Sequence, residues 1–170
     1  VSYGAALQGF ILKNSEDVFS KSIALVDVLP LSIGVETENG LMTKIIKKGN
    51  KVPTRNKSVF TNEEDNISEL EISIYQGERS LVKDNILIDK LILSNISKKE
   101  KGNNVIIIEI SVNNNCMLEV SAKEKNSDNL VKIKIDNYNK NLDDEELKKI
   151  IKEADKFDEI DSLKYKFHNY

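Results

Sequence analysis

Side chains able to do chemistry are few in this chain, and their spacing argues against an enzyme. His168 is the only histidine, and it stands close to the last residue, Tyr170, where chains fray. It reads as a solvated terminal side chain rather than a general base or a metal ligand. Cys116 is the only cysteine; it follows a run of asparagines, precedes Met117 and has no histidine near it in sequence to activate the thiol. It reads as an inert packing residue. The acids Asp143 to Glu146 lack the alternating oxygen spacing and the glycine of a calcium loop. A helix start accounts for them better, because carboxylates are favoured at the positive end of a helix. No glycine-rich loop is spaced to cradle phosphate, so this piece is expected to bind neither ATP nor a metal.

Binding chemistry is better served. Pro30 ends an apolar connector, and Ser32 to Thr37 then runs apolar and β-branched into Glu38-Asn39-Gly40, a strong hairpin signal. Leu41 to Ile46 is the returning strand. A second polar loop, Asn62 to Ile67, precedes Leu70, Ile72 and Ile74, which alternate with Glu69, Glu71 and Ser73. That period of two marks a half-buried strand. The two loops flank strands whose apolar residues are either ordinary core or the lining of a cleft.

The elements that would position these loops follow the same pattern. Ile106, Ile108, Ile110 and Val112 alternate with Ile107, Glu109 and Ser111; Leu118, Val120 and Ala122 repeat the pattern, as do Val131, Ile133 and Ile135. Short strands with turn residues between them predict an antiparallel sandwich or barrel from Ser32 to Ile135. After a polar break, Asp143 is the expected N-cap of a helix with an apolar stripe at Leu147, Ile150, Ile151, Ala154, Phe157, Ile160, Leu163 and Phe167. At the other end, Ile23 to Asp27 is either a first edge strand or a linker.

Composition is that of an ordinary globular chain. Of 170 residues, 39% are hydrophobic and 31% charged, which excludes the disordered class. A net charge of −3 makes no electrostatic case for nucleic acid, and no apolar run reaches the length of a membrane helix. A lone cysteine forms no internal disulfide.

Asp27-Val28-Leu29-Pro30-Leu31-Ser32-Ile33-Gly34-Val35-Glu36-Thr37, followed by Asn39-Gly40-Leu41-Met42-Thr43, resembles the start of the substrate-binding domain of the seventy-kilodalton heat-shock chaperones (the DnaK-type family). The likeness continues through Val52-Pro53-Thr54, Val59-Phe60, Glu64-Asp65-Asn66, Gln76-Gly77-Glu78-Arg79 and Lys83-Asp84-Asn85. It extends to Leu118 through Lys123 and Leu142 through Leu147, in the family's order over nearly the whole chain. The fold implied is mainly β with α: a two-layer antiparallel β-sandwich followed by a truncated α-helical lid. The domains implied are the end of the last ATPase-domain helix at 1–13, an interdomain linker at 14–27, the peptide-binding sandwich at 28–137 and the first part of the lid at 138–170. Gly4 to Gly9 carries the likeness to the ATPase helix, so the chain reads as a fragment of a larger protein.

Carried over residue by residue, the resemblance implies a peptide groove at Val35, Thr37, Glu38, Phe60, Glu63, Leu70, Ile72 and Ile106, with Leu70 on the wall of a central pocket for one leucine-like side chain. It implies that Leu25, Val26 and Asp27 dock on the ATPase domain when ATP is bound, with ATP and magnesium in that missing domain and none here. Implied partners are unfolded or extended hydrophobic polypeptides, a J-domain co-chaperone and a nucleotide exchange factor, with no nucleic acid and no membrane. Exposed apolar residues of the linker and truncated lid lead to an expectation of self-association. The competing class is a β-sandwich scaffold for one fixed partner. The sequence departs from the family at the arch over the peptide, usually apolar or small, where Glu38 and Glu63 would repel each other and favour peptides with basic flanks. It departs again at Asn115-Cys116, where the family has Asp-Gly, and at 98–104, usually proline-rich. Met42 to Ile46 and Val120 to Lys123 resemble bacterial and organellar members. The sequence leaves the compartment open between a bacterial-type cytoplasm and an organelle, plastid or mitochondrion; abundant Asn, Lys and Ile point towards an apicomplexan source.

Overall fold

Alternation of apolar and polar side chains is the device that builds this molecule. A computed structural model describes residues 27–136, Tyr138 and 144–168, with Ala6, Gly9 and Lys13 as isolated positions. The segment expected to end an ATPase-domain helix, most of the linker including Leu25 and Val26, and the N-cap Asp143 lie outside the described residues. Among the described residues eight strands form: β1 (Ile33–Thr37), β2 (Leu41–Ile46), β3 (Thr54–Thr61), β4 (Glu69–Gln76), β5 (Ile86–Ser94), β6 (Val105–Val112), β7 (Leu118–Glu124) and β8 (Leu130–Ile135). One helix follows, α1 (Asp144–His168). The fold is mainly β, with two four-stranded antiparallel sheets in the orders β2-β1-β4-β5 and β3-β6-β7-β8.

The inward positions of both sheets meet in one apolar cluster. Ile33, Val35, Ile72 and Ile74 come from the first sheet, and Ile106, Ile108, Ile110 and Val120 from the second. In β6 the alternation is complete from Val105 to Val112, with every second residue buried. In β4 the inward set Ile72, Ile74 and Gln76 is kept across a register shift between Ile74 and Tyr75, and the alternation breaks at Ser73, which is buried as well. A bulge at Ile33/Gly34 brings β1 so close to β2 that a Cβ on Gly34 would lie 2.2 Å from the Thr43 carbonyl oxygen; only glycine fits. The β1–β2 turn has φ of 61° at Asn39 and 68° at Gly40, the left-handed pair that the Asn-Gly signal demands.

One expectation is corrected here. Cys116 is exposed and does not pack; it sits at the β6–β7 turn with φ of 55°. The Asn113 carboxamide oxygen holds that turn by accepting from the amides of Asn115 and Met117. The exposure expected for apolar residues of the truncated lid is seen in the second half of α1, where Ile160 and Leu163 are exposed while Asp161 is buried. The reason is polar. Arg79 Nε donates to Asp161 Oδ2 at 2.7 Å, the Ser80 amide donates to the same oxygen at 3.1 Å, and the Arg79 guanidinium lies 4.4 Å from the Phe157 ring centroid. A carboxylate given three donors withstands burial that an unpaired one would not; the third is Arg79 Nη2, at 3.3 Å from Oδ1. The loop it grips also supplies the Ser80 carbonyl to the Met42 amide at 2.8 Å, so the helix is tied to the start of β2. Asp27, expected to end the linker, is already paired with the β domain, its carbonyl accepting from the Val52 amide at 2.8 Å.

Replacing Asp161 with Asn keeps the shape and removes the charge that holds Arg79. Amide hydrogen exchange across α1 is expected to quicken about tenfold while β6 and β7 stay protected; unchanged exchange would show that the pair does not hold the helix. At the other turn, Cys116→Gly relieves a left-handed residue of roughly 1 kcal/mol. It is expected to raise the melting temperature by about 2–4 °C, and a fall would disprove the strain.

Candidate groove between the two sheets

The ends of β1, β3 and β4 and the loop after β5 surround a groove of about 800 Å³. Val35 and Ile72, both buried, lie at its base with Ile108, while half-buried Phe60, Leu70 and Ile67 form its sides. Thr37, Glu38 and Glu63 complete the set, so seven of the eight positions carried over from the resemblance line one cavity. The eighth does not: Ile106 is fully buried in the core, and Ile108, one inward step along β6, lines the groove instead. Both point inward on the same strand, and the sequence period cannot say which of two equivalent positions reaches an opening.

A buried amide sets the shape of the groove's rim. Asn62, 2% exposed, donates from Nδ2 to the carbonyls of Glu64 (2.7 Å) and Glu100 (3.0 Å) and accepts the Asn104 amide on Oδ1 at 2.9 Å. Its own carbonyl accepts from the Gly102 amide at 3.0 Å. The 62–67 turn and the loop between β5 and β6 are thereby joined into one rim. Glu124, buried on β7, anchors the start of that loop by accepting from the Ser97 amide and hydroxyl and from Lys99 Nζ at 2.9 Å. Burial alone would raise the Glu124 carboxyl, but these donors together hold it below the ordinary carboxylate range.

Lys101 stands on this rim. Its amide donates to Asp65 Oδ1 at 2.6 Å, and its Nζ lies 3.1 Å from Glu38 Oε1. Glu38 and Glu63 therefore do not simply repel across an empty mouth. The Glu63 carboxyl is raised above the ordinary carboxylate range, by burial first and by the Glu38 charge second, while Lys101 opposes both. Lys101 carries no periodic signal and was not legible as a site residue; only the closure of the 98–104 loop onto Asn62 delivers it. The rim is otherwise acidic, although Glu71 turns to Lys90 (2.6 Å) and Glu36 accepts from the Tyr75 hydroxyl (3.3 Å). Such a cavity can take an apolar side chain at its base and a cation at its mouth. Among the described residues no group of three or more His, Cys, Asp or Glu side chains could hold a metal ion.

Similarity to known proteins covers nearly the whole chain. The family model described as Hsp70 protein matches residues 1–169. The heat shock 70 kDa protein of Neurospora crassa is 40% identical over 169 residues, which is 98% of this chain and 26% of that protein. The chain thus spans about a quarter of the length of the curated relative it matches.

The electrostatics of the rim are open to direct measurement. Carbon-detected NMR titration of the Glu63 carboxyl is expected to give a midpoint above that of a free glutamate. Glu38→Gln is expected to lower it and Lys101→Met to raise it further. A Glu63 midpoint indifferent to both substitutions would mean that the three groups do not share the mouth.

Proposed function

This chain belongs to the Hsp70 family, and from that premise we propose that it is the peptide-binding part of such a chaperone, holding extended hydrophobic segments of unfolded polypeptides. In this reading 28–137 is a β-sandwich that carries the groove and 138–170 the first part of a helical lid. Residues 14–27, with Leu25, Val26 and Asp27, are the linker to an ATPase domain whose last helix ends at 1–13. ATP and magnesium belong to that domain, as does hydrolysis. A J-domain co-chaperone and a nucleotide exchange factor are the partners that complete the cycle, and the protein is of the bacterial or organellar type.

The observation that carries this proposal is the groove with an apolar base of Val35, Ile72 and Ile108 and sides of Phe60 and Leu70. An apolar base left open at the bottom of a polar groove is costly to keep uncovered. At about 800 Å³ the groove has room for a short extended segment, and burial of one leucine side chain on its apolar base contributes roughly 2–3 kcal/mol. Main-chain hydrogen bonds to an extended peptide supply affinity that ignores sequence. Fixing the peptide costs entropy, so the net affinity is about micromolar, near −8 kcal/mol. Glu38 and Glu63 bridge the peptide where the family uses apolar or small residues.

Fluorescence anisotropy with a labelled leucine-centred peptide tests the assignment. Wild-type chain is expected to bind it at about micromolar strength. Leu70→Phe, which fills the pocket, is expected to weaken binding about tenfold or more while the domain still folds. Equal affinity in a folded Leu70→Phe variant would remove Leu70 from the site.

A further inference from the structure

Among the described residues, six glutamates and one lysine are the charged residues lining the groove, and the lysine makes direct contact with one of the two glutamates at its mouth. Neither Lys99 nor Lys90 is paired with the glutamates of the mouth: Lys99 is held by buried Glu124 at 2.9 Å and Lys90 by Glu71, further along the lining, at 2.6 Å. Lys101 differs from them in how it is held. Its backbone is fixed, through Asp65 and through the Gly102 amide on the Asn62 carbonyl, whereas its side chain is 62% exposed and long enough to swing away. A fixed tether with a free cationic end is the arrangement of an internal competitor.

We infer that Lys101 is a specificity-determining residue, an internal cation that occupies the acidic mouth and that a basic residue of the bound peptide must displace from Glu38. The inference rests on the peptide-groove reading and goes beyond it by naming what limits the preference for basic flanks. When a peptide lysine or arginine replaces Lys101 on Glu38, one ion pair is exchanged for another and the gain is small. Without Lys101 the same peptide residue forms a pair where none existed. The mouth then presents Glu38 and Glu63 together. For solvent-exposed pairs the difference is about three- to fivefold in affinity.

The experiment is an anisotropy titration of the 170-residue chain with three labelled leucine-centred peptides, flanked by lysine, by serine or by glutamate, at low salt. The readout is the ratio of lysine-flanked to serine-flanked affinity. Lys101→Met is expected to raise that ratio about three- to fivefold, Lys101→Arg to keep the wild-type ratio, and Glu38→Gln to remove most of the gain from Lys101→Met. A ratio unmoved by Lys101→Met, with serine-flanked peptide still bound, overturns the role of Lys101 and leaves the groove standing. A full gain that persists in Glu38→Gln overturns it too, since the competition would not be for Glu38. If Lys101→Arg behaves like Lys101→Met, the side chain acts by shape and the inference fails. No binding of any peptide to wild-type chain removes the groove reading and this inference with it.

Discussion

One buried carboxamide governs the groove end of this protein. Asn62 cannot reach water, so its three used hydrogen-bonding positions and its carbonyl must be satisfied inside the chain. They are satisfied by Glu64, Glu100, Asn104 and Gly102, residues of two loops that share no strand. Leaving one such group unpaired costs about 1–3 kcal/mol, enough to make the two loops a single rigid rim. Phe60, Glu63 and Lys101 are positioned because that rim is closed, and the groove exists because the rim stands clear of the shared core.

The same logic recurs wherever a loop must be held. Glu78 accepts from the Ser32 amide and from Lys44 Nζ, Glu124 from Ser97 and Lys99, and Asp161 from Arg79 and Ser80. Each carboxylate is largely buried, and each takes several donors. Burying a charge is costly unless its lone pairs are filled, so such a group permits only the loop geometry that fills them. These acids specify conformation where apolar packing is thin. At Glu38 and Glu63 the rule is relaxed: exposed, and sharing Lys101, they leave the mouth able to rearrange.

Exposed apolar surface divides along the same line. Val59 lines the groove although it is 62% exposed, and Ile160 and Leu163 stand out from the second half of α1. On the helix the cause is the polar grip on Asp161, which turns that face towards the Arg79–Ser80 loop and the apolar neighbours away.

The strands with strict alternation were legible in the sequence: β4 before its bulge, β6, β7 and β8, together with the Asn39-Gly40 turn and the existence of α1. A period of two leaves one face to bury, and the shared core follows from it. Thr54–Thr61 was not legible as a single strand, being polar almost throughout, and Ile86–Ser94 is apolar on both faces; pairing with β6 and β4 decides each. The kinship of the chain was readable from motifs, since motif order survives in one dimension, and seven of the eight positions carried over with it line one cavity. What only the tertiary structure decided was contact between residues far apart in sequence. Ile108 rather than Ile106 reaches the opening, Asp161 rather than Ile160 meets the loop, and Lys101 arrives beside Glu38 across 63 positions. Local periodicity tells each side chain which face it takes; the partner waiting there is set by how the loops close.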